Sequence, residues 1–189
     1  MSTEIKNNIR DFGLKLNRLG LWLFIVSDIS FFVALLSSRF FIFGTNTPSE
    51  INQTLGLSLT VLLLISSLTA YRAEVAAMNQ NKNMVLKNLL ITMIIGIIFL
   101  TGVGFEWNLA LHHEVTWPSK PFGTVLFTLT GVHAFHVLTG ILALLVVFFL
   151  TAIDKINLDN SWPVEGVVKW WHLVDLAWVA IYPTLYLLG

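Results

Sequence analysis

The 189 residues contain no cysteine. That absence excludes disulfides, iron–sulfur clusters and thiolate-bound copper or zinc. Charge is scarce as well: Asp, Glu, Lys and Arg make up 12% of the chain, and 11 acidic residues balance 11 basic ones. A chain without net charge has no whole-molecule attraction to nucleic acid or acidic substrates. No internal repeat is visible, which argues against the inverted-repeat design of many transporters. The N-terminus lacks the short apolar core and small-residue cleavage site of a secretory signal, so the first span is expected to insert uncleaved.

What the chain has is apolar length. Hydrophobic residues make up 56% of it and its mean hydropathy is +0.76. Five apolar segments run over residues 19–43, 55–71, 89–111, 122–151 and 170–188. A hydrocarbon core about 30 Å thick needs about 20 residues at 1.5 Å each, so each segment is long enough to cross, or nearly so. The expected fold is an all-α integral membrane protein of five transmembrane helices. It comprises an arm at 1–18 and a single transmembrane domain at 19–189. Lys6, Arg10, Lys15 and Arg18 precede the first span, Arg72, Lys82 and Lys87 surround the second connection, and Lys155 and Lys169 bracket the fourth. The positive-inside rule puts these in the cytoplasm, with the C-terminus outside, in the periplasm. In the arm, Ile5, Ile9, Phe12, Leu16 and Leu19 recur at helical spacing, which suits an interfacial helix lying on the membrane surface. The stretches at 44–53 and 113–121, the latter with Trp117, read as short external turns. Pro183 falls inside the last span and is expected to kink it.

Ionisable groups inside spans are costly and generally face a bundle interior, a cavity or a partner. Here they are Asp28, Glu106, His133, His136, His172 and Asp175, with His112 and His113 at the outer end of the third segment. Counted from the outer ends, Asp28 and His136 lie about 21–22 Å deep, His133 about 16 Å and Glu106 about 8 Å. Asp28 is therefore expected to pair with the His133–His136 face, whose members are three residues apart. With Glu106, these groups are the candidates for proton relay. Glu165, His172 and Asp175 form a candidate cluster on the cytoplasmic side. The same residue types suit a metal site, but the Glu-x-x-His spacing of di-iron bundles is lacking. A haem would need two imidazoles at matched depth on facing helices. Hydrogen bonding between helices is the simplest reading for most of these groups. Gly96, Gly102, Gly104, Gly131 and Gly140 would permit close helix contact or leave room for a lipid chain.

The motifs along the chain resemble subunit III of the haem–copper respiratory oxidases. The segment from Leu21 to Phe32 around Asp28 is similar to the first helix kept in shortened members. Phe105-Glu106-Trp107 resembles the family's glutamate-plus-aromatic motif. Gly131-Val132-His133 continuing to His136-Val137 and Gly140 resembles Gly-x-His-x-x-His-Val-x-x-Gly. Trp171-His172 with Asp175 and Trp178 resembles the closing Trp-His-x-x-Asp-x-x-Trp.

The resemblance implies an accessory subunit, without haem, copper or another metal of its own and without a catalytic residue, beside a catalytic subunit that reduces oxygen and pumps protons. Haem and copper belong to the partner subunits, subunit I is the main contact, and subunit II and a small subunit IV complete the assembly. Membrane phospholipid is the expected ligand, with Trp22, Glu106, His133, Trp171 and Lys155 as candidate contacts. A bacterial inner membrane is the implied location. Five histidines are too few for the catalytic subunit, and the copper-bearing subunit needs paired cysteines. Several positions depart from the family pattern: Asp28 stands where glutamate is common, Leu150 where a headgroup-linked arginine is common, and Lys169 where an aromatic is common. Two other functions remain open on the residues: a free-standing proton-coupled carrier, and an accessory subunit of a nitric oxide reductase.

Overall fold

The computed structural model describes residues 2–42, 44, 53–112 and 121–187, with side chains from residue 11 onward except that of residue 121. Most of both expected external turns, Trp117 and His113 included, lies outside the described residues. All regular elements among the described residues are helical: α1 (Ser2–Ile42), α2 (Gln53–Met78), α3 (Lys82–His112), α4 (Pro121–Ala152) and α5 (Trp162–Tyr182), followed by a π-helical turn (Pro183–Leu187). Among the described residues, four helices are long and apolar enough to cross a membrane: Asp11–Ile42 within α1, then α2, α3 and Phe122–Ala152 within α4. α5 carries Glu165 and Lys169 in its N-terminal half and Asp175 past its middle, which lowers its hydropathy without shortening it.

Side-chain contacts fix how the helices run. Thr69 Oγ1 meets Thr92 Oγ1 at 2.7 Å and Leu59 packs at Gly102, so α2 and α3 form an antiparallel hairpin. Along α5, Ser67 meets His172 at 2.8 Å, Trp171 reaches Ser66, Trp178 reaches Thr60, and Gln53 Nε2 donates to the Tyr186 carbonyl at 3.0 Å. Residue numbers rise on one helix as they fall on the other, so α5 lies antiparallel along nearly the whole of α2. α4 packs against α3 and α5, and α1 touches only α4 and α5 to any extent.

The ends follow ordinary capping physics. α2 and α4 both close in a Schellman motif. Asn81 N donates to Ala76 O and Gln80 N to Ala77 O, while Lys155 N donates to Leu150 O and Asp154 N to Thr151 O. The left-handed position of each is filled by a non-glycine residue, Gln80 (φ 56°) and Asp154 (φ 58°). Both residues gain a cross-loop contact: Gln80 Nε2 donates to Asp159 at 3.1 Å, and Lys82 Nζ holds Asp154 at 2.5 Å and the Ala152 carbonyl at 3.0 Å. The two connections are thereby joined at one end of the bundle. Pro163 sits in the first turn of α5, where its missing N–H costs nothing. Pro183 lacks the N–H that would continue α5, and the chain widens into π geometry there, with Thr184 Oγ1 donating to Ala180 O at 2.7 Å.

One expectation changes. Residues 2–18 form no separate element: α1 is helical without interruption for 41 residues, about 60 Å, roughly twice what a bilayer core requires. Neither Gly13 nor Gly20 breaks it.

Candidate functional site

The buried polar residues occupy three levels of the bundle. At the middle level Asp28 Oδ1 of α1 lies 3.2 Å from His136 Nε2 of α4, and both side chains are largely buried. His136 Nδ1 is 2.7 Å from the Val132 carbonyl. A carbonyl can only accept, so Nδ1 carries a proton, and the Nε2–Oδ1 contact needs one more. That second proton sits either on an uncharged Asp28 or on a cationic His136. In both states the pair as a whole is neutral, which is how a carboxyl group is tolerated at this depth. Phe32 packs edge-on against His136 at 4.9 Å and Trp170 stacks on it at 5.8 Å.

His133 takes no part in that hydrogen bond. It is completely buried, boxed by Phe99 at 5.6 Å and Trp178 at 5.1 Å, with Phe32 at 6.5 Å. Neither ring nitrogen has a hydrogen-bond partner among the described residues. The expected two-histidine face is thus divided: His136 meets Asp28, and His133 turns into an aromatic cage.

Towards the end holding the C-terminal turn, Glu106 of α3 is buried and accepts a hydrogen bond from the Tyr186 hydroxyl. Tyr186 was not foreseen as a partner. Its place in the last turn, at about the depth of Glu106, was the available signal.

Towards the other end, the expected Glu165–His172–Asp175 cluster separates into two sets of contacts. Glu165 receives Arg18 Nη2 at 2.8 Å and Lys169 one turn along, and Lys169 also lies 4.0 Å from Glu74. Glu165 precedes the apolar stretch of α5. Burial would raise its pKa, but hydrogen bonds from Lys169 and Arg18, reinforced by their charges, hold it below the ordinary carboxylate value. His172 instead faces Ser67. Asp175 is buried beside Ser66 and Ser67 without a directed hydrogen bond, because the Ser66 proton goes to the Leu63 carbonyl and Ser67 Oγ meets His172.

The most regular feature was not anticipated. Three indole N–H groups each donate to a hydroxyl on a neighbouring helix: Trp171 to Ser66 at 3.0 Å, Trp178 to Thr60 at 3.0 Å and Trp107 to Thr130 at 2.9 Å. Each hydroxyl passes its own proton to a carbonyl of its own helix, at Leu63, Gly56 and Leu126. The donors of these three pairs are thus all satisfied inside the apolar bundle. Trp171 is fully buried between two glycines: a Cβ on Gly96 would stand 2.7 Å from its ring and one on Gly140 3.0 Å. These two glycines therefore make room for an indole, and the space is closed to a lipid chain.

Of the five candidate lipid contacts, Glu106, His133 and Trp171 are interior, so a headgroup reaches none of them without parting the helices. Trp22, 53% exposed, and Lys155 are on the surface. No cluster of three or more His, Asp or Glu side chains with metal-binding geometry occurs among the described residues.

A family model described as cytochrome c oxidase subunit III matches residues 6–189. The chain is similar to the cytochrome c oxidase subunit 3 of Corynebacterium diphtheriae, at 30% identity over 88% of this chain and 85% of that one. It is also similar to the probable quinol oxidase subunit 3 of Staphylococcus saprophyticus, at 27% over 92% and 90%, respectively. The cytochrome c oxidase subunit 3 of Rhipicephalus sanguineus is 30% identical over 92% of this chain and 70% of its own length.

Proposed function

This chain belongs to the cytochrome c oxidase subunit III family, and from that premise we propose that it is the accessory subunit III of a proton-pumping haem–copper terminal oxidase. The observation that carries the proposal is the match along almost the entire chain to relatives named subunit 3 of cytochrome c or quinol oxidases. It sits in a bacterial inner membrane against subunit I, with subunit II and a small subunit IV nearby. Redox centres lie in those partners, and subunit II selects cytochrome c or quinol as donor.

α5 is the fifth span. Its pairing with α2 from Ser67–His172 to Gln53–Tyr186 gives it the same reach across the bundle. The N-terminus is cytoplasmic and the C-terminus periplasmic, because Arg18, Lys82 and Lys169 gather at one end with their acidic partners. Asp28 and His136 hold α1 to the bundle as a neutral pair, while Trp22 and Lys155 contact lipid headgroups at the surface. The subunit's work is to brace subunit I and sustain its proton uptake.

Preparing the oxidase with and without this chain tests the role. Without it, the initial rate of oxygen consumption should persist and then decay over successive turnovers faster than in the full complex. Loss of the initial rate itself would make the chain part of the catalytic machinery and refute the proposal.

A further inference from the structure

Ser66 and Ser67 are neighbours on α2, and the buried Asp175 carboxyl group lies beside both, yet their hydroxyls are used differently. Ser66 accepts the Trp171 indole N–H and gives its own proton to the Leu63 carbonyl, so it has none left for Asp175. Ser67 makes its one directed hydrogen bond with His172, through Nδ1 at 2.8 Å. An imidazole nitrogen donates or accepts according to its tautomer, so this bond has two directions. With Nδ1 bare, Ser67 donates to it, and the serine oxygen is open to a proton from Asp175. With a proton on Nδ1, Ser67 accepts, and its own hydrogen is free to turn to Asp175.

The three groups lead inwards. Counted along α5 from Glu165 at the charged end, His172 lies about 10 Å in and Asp175 about 15 Å, midway through a core about 30 Å thick. His172 is half-buried, whereas Asp175 is 4% exposed. At the outer end stand Lys169, one turn before His172, and Glu74 of α2, which Lys169 approaches at 4.0 Å. On the other helices packed against α5, Asp28 of α1 and His136 of α4 are turned to each other, and Arg18 is held by Glu165. No ion pair engages Asp175 among the described residues. A carboxyl group at this depth without a cation is tolerated with a proton on it.

We infer that His172, Ser67 and Asp175 form a proton relay that loads and unloads Asp175 from the side of the bundle. A proton from water binds His172 Nε2. Nδ1 then passes its proton to Ser67 Oγ, while Ser67 hands its own hydrogen to an Asp175 oxygen rotated onto it. The imidazole ends neutral with its proton on Nε2, the hydroxyl is restored, and one proton has moved from water to the carboxylate. Unloading is the reverse. The relay is separate from the Asp28–His136 pair, and it needs only that α2 and α5 lie side by side in a membrane, not the oxidase role.

Infrared spectroscopy of the full chain in detergent, timed after transfer to D₂O, tests the relay. The carboxyl C=O band lost in Asp175→Asn marks the loaded site, and its downshift reports exchange of the proton. Ser67→Ala should slow that exchange about a hundredfold, the low end for removing a positioned proton-transfer group. His172→Gln should slow it as well, and Ser67→Thr, which keeps a hydroxyl, should restore the native rate. Ser66→Ala should leave the rate unchanged, since that proton is committed to Leu63. Exchange at the native rate in Ser67→Ala, or no band lost in Asp175→Asn, would overturn the inference. Equal slowing in Ser66→Ala would assign the effect to packing and overturn it too.

Discussion

α1 and α5 are both helices of this bundle, yet they solve opposite problems. α1 contains one of the most apolar stretches in the chain, and only 11% of it is buried by the rest of the molecule, against 39% for α3. α5 is interrupted by Glu165, Lys169, His172 and Asp175 and has two indoles and a tyrosine-bearing turn packed inside. In water that relation would be reversed. In a membrane, apolar surface is at home facing lipid, and burial goes to residues that gain hydrogen bonds or close packing from neighbours. α5 is accordingly fixed by a continuous ladder to α2, whereas α1 is attached at separate points: Arg18–Glu165, Phe24 stacked on Trp170 at 5.2 Å, and Asp28–His136.

The sharpest way to break this contrast is to attack the α5 side. Trp171→Ala should cost about 3–5 kcal/mol, because it empties a fully enclosed indole site and leaves Ser66 without its donor. Gly96→Leu should cost about 1–3 kcal/mol by driving a side chain into the Trp171 ring. Thermal unfolding in detergent checks both, and a fall in midpoint no larger than that of an α1 surface substitution such as Trp22→Ala would erase the distinction. Trp178→Phe removes the donor to Thr60 and shrinks a fully buried ring, so about 2 kcal/mol is expected in the same assay.

Changes on the α1 side should be milder. Glu165→Gln removes the charge that Arg18 and Lys169 share, and half-exposed Arg18 limits the loss to no more than about 1 kcal/mol. Because Glu165 is held below the ordinary carboxylate value, its contribution is complete above about pH 5 and disappears as pH falls through the depressed value. Proteolytic release of α1 should therefore quicken at acid pH in the native chain and lose that part of its pH dependence in Glu165→Gln. The smallest effect is expected from Asp28→Asn. An amide can donate to the same His136 Nε2, so the contact survives and assembly into the oxidase complex should remain intact. If the variant fails to assemble, the carboxyl group is itself an assembly element.

The contrast also explains what could be read from the chain alone. Apolar length placed the five helices, and counting rise per residue brought Asp28 level with His136, since both depend only on helix geometry. Position around the helix axis depends on packing, so the division between His136 and His133 was not legible. Nor was the separation of Glu165 from His172 and Asp175, because Arg18 arrives from a helix 147 residues away. The placing of Trp171, Trp178 and Trp107 was not legible either: amphipathic rings commonly settle at membrane interfaces, and only the neighbouring hydroxyls at Ser66, Thr60 and Thr130 show that these three turn towards the bundle. Gly96 and Gly140 left a choice between helix contact and lipid space that Trp171 decided by occupying it.

Affinity purification of the tagged chain from its own membranes in mild detergent tests most directly whether it is one subunit of an oxidase. The predicted result is a complex with haem absorbance that consumes oxygen and contains larger partner chains. Recovery of the chain alone, free of haem and moving protons across liposomes by itself, would contradict it.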